Sequence, residues 1–590
     1  MKPISQKQRL AFGSLAACVL CWPMSHARAD GVDDPAPVLA KVENFALLDH
    51  EGKFHEFDYY CGSPEVRAVV LFVQGNGCPL VRKRVPELNR LKDVYADKGV
   101  LFAMLNANPQ DGREEIAREA AEFGIKMPVL VDESQLVATM LGVQRTGEAF
   151  LIDTGAKTVV FRGAIDDRMT YQKEKPEAEN HYLKSAIDAL LAGAPIESAT
   201  TEAPGCKVAM PEEAEISYAN EVAPILKTRC VACHTNGGLG PFAMSNYKKV
   251  RGWSEMIAEV VLARQMPPWH ADPHIGAFKN DGGITPDEAR ILVTWIRDGS
   301  PRGGGEDPLD GHTPDLPEWH LGTPQKVVTL PEQKVAAEGV FDYRYVTVES
   351  PFDEDVWLTA TEIKPGNTRV LHHVIVTAHD PGDSRRQKWI TGYAPGTQGA
   401  EYPEGSAIKL PKGWKLKFQL HYTASGKDEV DLTQLGLNFS KTPVDKEFKT
   451  RIVMHRKFSI PPGAMEHSAE TSFTAPKAAT LYSINPHMHF RGKRMSFEAH
   501  YSDGRSEMLL SVPNYNFNWQ RTYVFDEPKL IPAGTRIEVK NAWDNSSLNP
   551  HNPDPSKGVR WGEQSFEEMF FATLNYIETD DPIQGEAVRP

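Results

Sequence analysis

From Gln325 onward the chain is written in short runs of alternating apolar and polar residues, separated by Pro-Gly, Asn and Asp turns. Lys415-Leu-Lys-Phe-Gln-Leu-His421 is the clearest run, with Leu416, Phe418 and Leu420 on one side. Successive strand side chains point to opposite faces, so such a run buries one face only. Roughly 265 residues in this pattern predict two all-β, jelly-roll-like sandwiches, over 325–450 and 451–585. Two other patterns precede it. Residues 36–195 alternate strand and helix signals: Ala68–Val73, Gly99–Leu105 and Ala149–Asp153 read as buried strands, Arg82–Lys98 as a helix. This predicts an α/β domain. Residues 213–305 read as all-α. Thr285-Pro-Asp-Glu288 is a helix start, Ile291, Leu292, Trp295 and Ile296 form one face, and Gly299 ends it. The stretches 196–212 and 301–324 read as linkers. A chain of 590 residues exceeds the ~250–300 residues that one core supports, so a multidomain chain is expected.

The first residues carry targeting information. Lys2, Lys7 and Arg9 precede an apolar run, Leu10–Trp22, and Ala27-Arg28-Ala29 offers small residues for cleavage. A signal peptide over 1–29 is expected, and with it a periplasmic or secreted protein. Leu15-Ala16-Ala17-Cys18 also looks like a lipobox, which would leave a lipid anchor at Cys18. No later stretch is apolar enough to span a bilayer. The formal net charge is -14 and no basic run or stripe occurs, which argues against nucleic acid as a partner. Of seven cysteines, Cys18 and Cys21 lie in the leader and none follows Cys233, so the β-rich part has neither a disulfide nor a thiolate ligand.

Cys230-Val-Ala-Cys233-His234 is a C-x-x-C-H motif. Two thiols at this spacing capture the vinyl groups of haem, and the adjacent imidazole becomes an axial iron ligand. Structural zinc would need two further Cys or His at matching spacing, and only His270 is near; a bare dithiol leaves His234 unexplained. The segment resembles a cytochrome c domain. That resemblance implies one c-type haem on Cys230 and Cys233, His234 as axial ligand, and Met266 as the candidate for the second.

Four features follow in order: His372-His373, His421, His487-Met-His489 and Met569. Imidazoles suit copper or zinc, whereas a thioether favours Cu(I). His487 and His489, two apart, share a face if they lie on a strand. Adjacent His372 and His373 reach one ion only at a bulge or strand end. Taken singly, each feature also fits packing or surface roles. Together with His421-Tyr422, Gly492-Lys493 and Glu568-Met569, they resemble the copper type II, ascorbate-dependent monooxygenases, the group of peptidylglycine α-hydroxylating and dopamine β-monooxygenases. The resemblance covers about residues 325–590. It implies two coppers: an electron-transfer copper on His372, His373 and His421, and a dioxygen-binding, catalytic copper on His487, His489 and Met569, with a solvent-filled cleft between. Asn485, Phe571 and Thr573 depart from the peptide-amidating pattern, which argues against a peptidyl-glycine substrate. His551 is a spare ligand candidate or a loop histidine.

Residues 36–195 resemble a redoxin of the thioredoxin superfamily, with Cys78 after a strand and before a helix in Gly75-Asn-Gly-Cys-Pro79. A helix N-terminus favours the thiolate. Val81 stands where a C-x-x-C partner would be, Gly147 where the usual cis-proline would be, and Gly75 where a peroxidase threonine would be. Cys61 is the remaining candidate partner. Thiol catalysis at Cys78 and a docking role both stay open. The combined expectation is an exported dicopper monooxygenase that hydroxylates a C–H bond of an organic substrate with dioxygen. Its electrons would come from an external donor, ascorbate-like or another cytochrome, through the fused haem. The alternative is a periplasmic copper-binding, redox-sensing electron-transfer protein without oxygenase activity.

Overall fold

The structure, a computed structural model, describes residues 40–579 except 213, 316 and 398. The expected signal peptide and Cys18 lie outside the described residues. Among those described, no helix is long and apolar enough to cross a membrane.

The first domain is a seven-stranded sheet in the order Phe54–Glu56, Ala46–Asp49, Val129–Val131, Val100–Asn106, Ala68–Gln74, Ala149–Asp153, Thr158–Gly163. Ala68–Gln74 runs parallel to Val100–Asn106 and antiparallel to Ala149–Asp153. It is buried along its whole length, because helices and loops cover both faces of the sheet. The helix after it runs from Pro79 to Tyr95, with Pro79 in its first turn and Cys78 as its N-cap residue; Ala96–Lys98 continue as a 3-10 turn. The stretch expected as a linker at 196–212 packs onto this domain instead. Ala203 and Val208 are buried, Thr200 bridges Arg162 and Lys207 bridges Arg145.

Helices Ala223–Arg229, Tyr247–Gly252, Ser254–Leu262 and Pro286–Arg297 follow. The last starts with the expected capping box: Glu288 N–H donates to Thr285 Oγ1 at 3.1 Å and Thr285 N–H to Glu288 Oε2 at 2.9 Å. Its buried face is Leu292, Val293, Trp295 and Ile296, with Ile291 only half-buried. Leu309, from the second stretch expected as a linker, is buried in the same core.

The β-rich part is less divided than the alternation predicts. A four-stranded sheet (Arg344–Glu349, Lys415–Tyr422, Leu371–Asp380, Asp383–Tyr393) and another (His467–Thr474, Arg536–Trp543, Gly492–His500, Ser506–Val512) each pack on one nine-stranded sheet that runs through both halves. The halves join where Ser406–Leu410 pairs in parallel with Lys446–Met454. The boundary expected at 450/451 lies inside that second strand. Leu416, Phe418 and Leu420 are fully buried, as their alternation predicts.

Residues 266–281 tie the three parts together. Phe278 bridges Phe525, Lys279 N–H donates to Val524 O and Asp272 N–H to Ser511 O, both at 2.9 Å. Arg113 of the first domain donates to buried Asp272 at 2.7 Å. Tyr59 also reaches across, donating to Asp544 at 2.7 Å.

Candidate functional site

Five histidines from the two β-halves meet in one buried cluster. A register shift falls between Leu371 and His373 in the pairing with Lys415–Tyr422. This bulge turns both His372 and His373 inward, where they join His421, which pairs with His373. Ligand nitrogens of the three lie within 4.8 Å of one another. His487 ends the strand Ala479–His487, whereas His489 lies beyond it, so the pair does not share one strand face. Met488 between them is buried, with its N–H donating to Tyr515 Oη at 3.0 Å and its carbonyl accepting from that hydroxyl at 2.7 Å. With Met488 anchored in the core, its two neighbours turn toward the cluster. The His487 and His489 rings are 5.2 Å apart, and His487 is 6.4 Å from His373.

Burial decides the charge of this cluster. It lowers His372 and His487 to about 4 and His421 to about 3, and His373 and His489 well below the usual histidine range. The neighbouring imidazoles push His373, His421 and His489 down further. All five are therefore neutral at pH 7, the state in which imidazole binds metal. His372 Nε2 and His421 Nδ1 are buried with no hydrogen-bond partner. Among the described residues such orphaned atoms call for an explanation, and a cation supplies one. The outer contacts fit as well. His487 Nδ1 faces Gln520 Oε1 at 2.6 Å and His489 Nδ1 faces Glu567 O at 3.3 Å, the pattern that orients a ligating imidazole.

Glu568 braces the second half of the cluster. Its fully buried carboxylate accepts from His489 N–H at 3.0 Å, Arg491 N–H at 2.7 Å and Met569 N–H at 3.2 Å; burial pushes it up to about 7. Met569, His373 and His487 line a cavity of about 800 Å³ with Trp389, Gln419 and Phe571. The sequence gives no sign of Phe517, whose ring lies 4.8 Å from His372 and 5.7 Å from His489. Nor does it mark Tyr343, 4.8 Å from the His421 ring with its hydroxyl 3.5 Å from His489 Nε2. His551 is exposed and outside the cluster. Asn485 donates weakly to Gln520 O at 3.4 Å, behind the cluster.

Cys230 caps the helix Ala223–Arg229, and His234 N–H donates back to Cys230 O at 2.9 Å. His234 Nδ1 lies 3.1 Å from Phe242 O, which fixes the tautomer and leaves Nε2 free to ligate. Gly240 is packed so closely that a Cβ there would lie 2.7 Å from His234 Nδ1. Burial pushes the Cys230 thiol up to about 12 and also raises Cys233, so neither is poised as a free thiolate. Among the described residues, Cys230, Cys233 and His234 do not converge as the ligands of one ion would. Met266 is half-buried just past the helix Ser254–Leu262. Arg521, from the second β-half, donates to Pro268 O at 2.9 Å; its charge only partly offsets the burial that raises the Cys233 thiol.

Cys78 is buried under Thr146 Oγ1, 3.3 Å away. Its neighbouring sulfur is Cys206, at 3.7 Å, not Cys61, whose thiol burial pushes up to about 11. Cys206 sits in the stretch expected as a linker and was not legible as a site residue.

Residues 41–180 match the Redoxin family model, and the first domain is thioredoxin-like. Curated relatives are thiol-disulfide oxidoreductases ResA. The Bacillus thuringiensis subsp. konkukian (strain 97-27) protein is 26% identical over 157 residues, 26% of this chain and 87% of its own length. That of Geobacillus thermodenitrificans (strain NG80-2) is 28% identical over 137 residues, 23% of this chain and 74% of its own. Similar solved structures include a hypothetical protein of Sinorhizobium meliloti 1021 (25% identity, TM-score 0.27, 30% of this chain and 98% of that one). Another is a putative thiol:disulfide interchange protein DsbE of Chlorobium tepidum (20% identity, TM-score 0.22, 26% and 98%).

Proposed function

We propose that this chain is an extracytoplasmic oxidoreductase that hydroxylates a C–H bond with dioxygen. In this reading His372, His373 and His421 hold one copper, and His487, His489 and Met569 a second. Cys230, Cys233 and His234 hold a c-type haem, with Met266 as the candidate for its second axial position. The single observation that carries the reading is the convergence of five buried, neutral imidazoles from both β-halves, two of which, His373 and His487, line one cavity with Met569. The donor set of this reading is nitrogen and thioether, which suits copper. When bound, the coppers would activate dioxygen, and the haem would store and pass single electrons.

The protein's own residues supply the rest. Gln520 and the Glu567 carbonyl fix the orientations of His487 and His489. Glu568 sets the backbone on which His489 and Met569 stand. Phe517 and Tyr343 fill the space between the imidazoles and exclude water there. The cavity beside Met569 is the space for an organic substrate, half-lined by aromatic and aliphatic groups.

A second reading, copper-binding electron transfer without oxygenase activity, is favoured by two observations: the redox relatives of the first domain and the 6.4 Å approach of His373 and His487, closer than a wide cleft would leave. Dioxygen uptake separates the two. With ascorbate as donor and a panel of small organic substrates, the copper- and haem-loaded full chain under the first reading consumes one dioxygen per hydroxylated product, with one oxygen atom in the product and the other in water, and His489→Ala abolishes it. Uptake no faster than in that variant sinks the first reading.

A further inference from the structure

We infer that Cys78 and Cys206 form a reversible dithiol–disulfide pair that accepts two electrons from an external dithiol. This inference stands apart from the copper and haem reading and uses none of its residues. The two sulfurs are 3.7 Å apart although 128 residues separate them in sequence. A disulfide needs about 2.05 Å, so the two sulfurs must close by less than about 2 Å from the 3.7 Å at which they stand.

The approach is built into the backbone. Thr146 N–H donates to Cys206 O at 2.9 Å, Val208 N–H to Gln144 O at 3.0 Å, and Cys206 N–H to Thr146 Oγ1 at 3.0 Å. The Tyr171 hydroxyl donates to Gly205 O at 3.1 Å. Two glycines allow the contact. A Cβ on Gly205 would lie 1.6 Å from Thr146 O, and Gly147, at φ +86°, would place one 2.8 Å from Pro204 O. The stretch 204–208 is thus held along 144–146 like an added strand, with Cys206 set over Cys78. Polar linkers have no need of such a fit.

The two sulfurs are unequal in ways that divide the work. Cys206 is exposed and Cys78 is 4% exposed, so an incoming thiolate meets Cys206 first. Burial raises Cys78, but hydrogen bonds from Thr146, from the N–H groups at the start of helix Pro79–Tyr95 and from Cys206 outweigh it and hold this thiol below its ordinary value. Burial and the neighbouring Cys78 raise Cys206. The lower-pKa sulfur leaves faster.

The step therefore runs as thiol–disulfide exchange. A thiolate of the partner dithiol attacks Cys206 Sγ, the Cys78–Cys206 bond breaks, and Cys78 departs as the thiolate. The partner's second thiol then attacks its own sulfur in the mixed disulfide, releasing Cys206. The partner is oxidised to a disulfide, and Cys78 and Cys206 gain the two electrons and two protons.

The test uses the haem-loaded full chain equilibrated in dithiothreitol buffers of graded reduced-to-oxidised ratio. Samples are acid-quenched, alkylated, digested and mapped by mass spectrometry. The expected result is a Cys78–Cys206 cross-linked peptide that appears and disappears with one two-electron midpoint. In Cys206→Ser the cross-link is gone and Cys78 stays alkylatable at every ratio. Full alkylation of both cysteines of the unmodified chain at every ratio overturns the inference, as does a Cys61–Cys78 cross-link. Because the primary readout is on the unmodified chain, a poorly folding variant does not blunt it.

Discussion

Replacing Glu568 by alanine tests how the second half of the histidine cluster is held. The carboxylate accepts from three buried backbone N–H groups, those of His489, Arg491 and Met569. Each buried donor left without a partner costs roughly 1–3 kcal/mol. Some of that returns, because the carboxylate is itself costly to bury, as its pKa near 7 reflects, and because water can enter the gap. A net loss of about 4 kcal/mol is expected, which for a β-unit of this size lowers Tm by roughly 10 °C. The cost falls on the turn that carries His489 and the loop that carries Met569. His372, His373 and His421 are positioned by other strands. Copper should drop from two to one per chain, with the remaining ion on the first set. Elemental analysis of the copper-loaded variant, together with calorimetry, reads both effects. A variant that keeps both coppers and unfolds within about 1 °C of the parent refutes the reasoning.

Three further outcomes are expected. His421→Ala removes one imidazole of the first trio and leaves one copper per chain, on the other set, as elemental analysis would read. Gly240→Ala drives a methyl into the His234 ring; haem stays attached through Cys230 and Cys233, but the ferrous absorption spectrum shifts as the axial imidazole turns. Asp132, fully buried, has its pKa raised by burial to about 6. The folded state thus holds the proton more tightly than the unfolded state, so the stabilisation is present below pH ~4 and is lost as pH rises through 6. The shift is worth roughly 3 kcal/mol. Asp132→Asn, which keeps an acceptor for Ala138 N–H, should flatten this loss in hydrogen exchange of the Leu136–Leu141 helix between pH 4.5 and 7.

Much of the architecture follows from local pattern. The alternation of Leu416, Phe418 and Leu420 and the capping box at Thr285 both appear as their spacing dictates, because each rests on residues within one turn or one strand. The need for a bulge at His372-His373 was also legible, since adjacent strand residues cannot otherwise face one way. What stayed hidden depends on distant pairing. The single sheet through both β-halves turns on two residue pairs, Ser406–Lys446 and Ala407–Glu447, which leave no mark in either strand. Phe517, Tyr343 and Gln520 reach the cluster from loops between strands. Cys206 lies in a polar, Pro- and Gly-bearing stretch that reads as linker; the burial of Ala203 and Val208 on either side emerges only in the fold.

If the histidine and methionine constellation and the C-x-x-C-H motif are metal centres of one oxidoreductase, both metals can be counted. The most direct test is copper and iron per chain in full-length protein purified from a host that attaches haem c and then supplied with copper. Two coppers and one iron per chain are predicted. Iron with no copper, or with zinc in its place, contradicts the account and leaves a haem protein carrying a redoxin and a β-rich binding module.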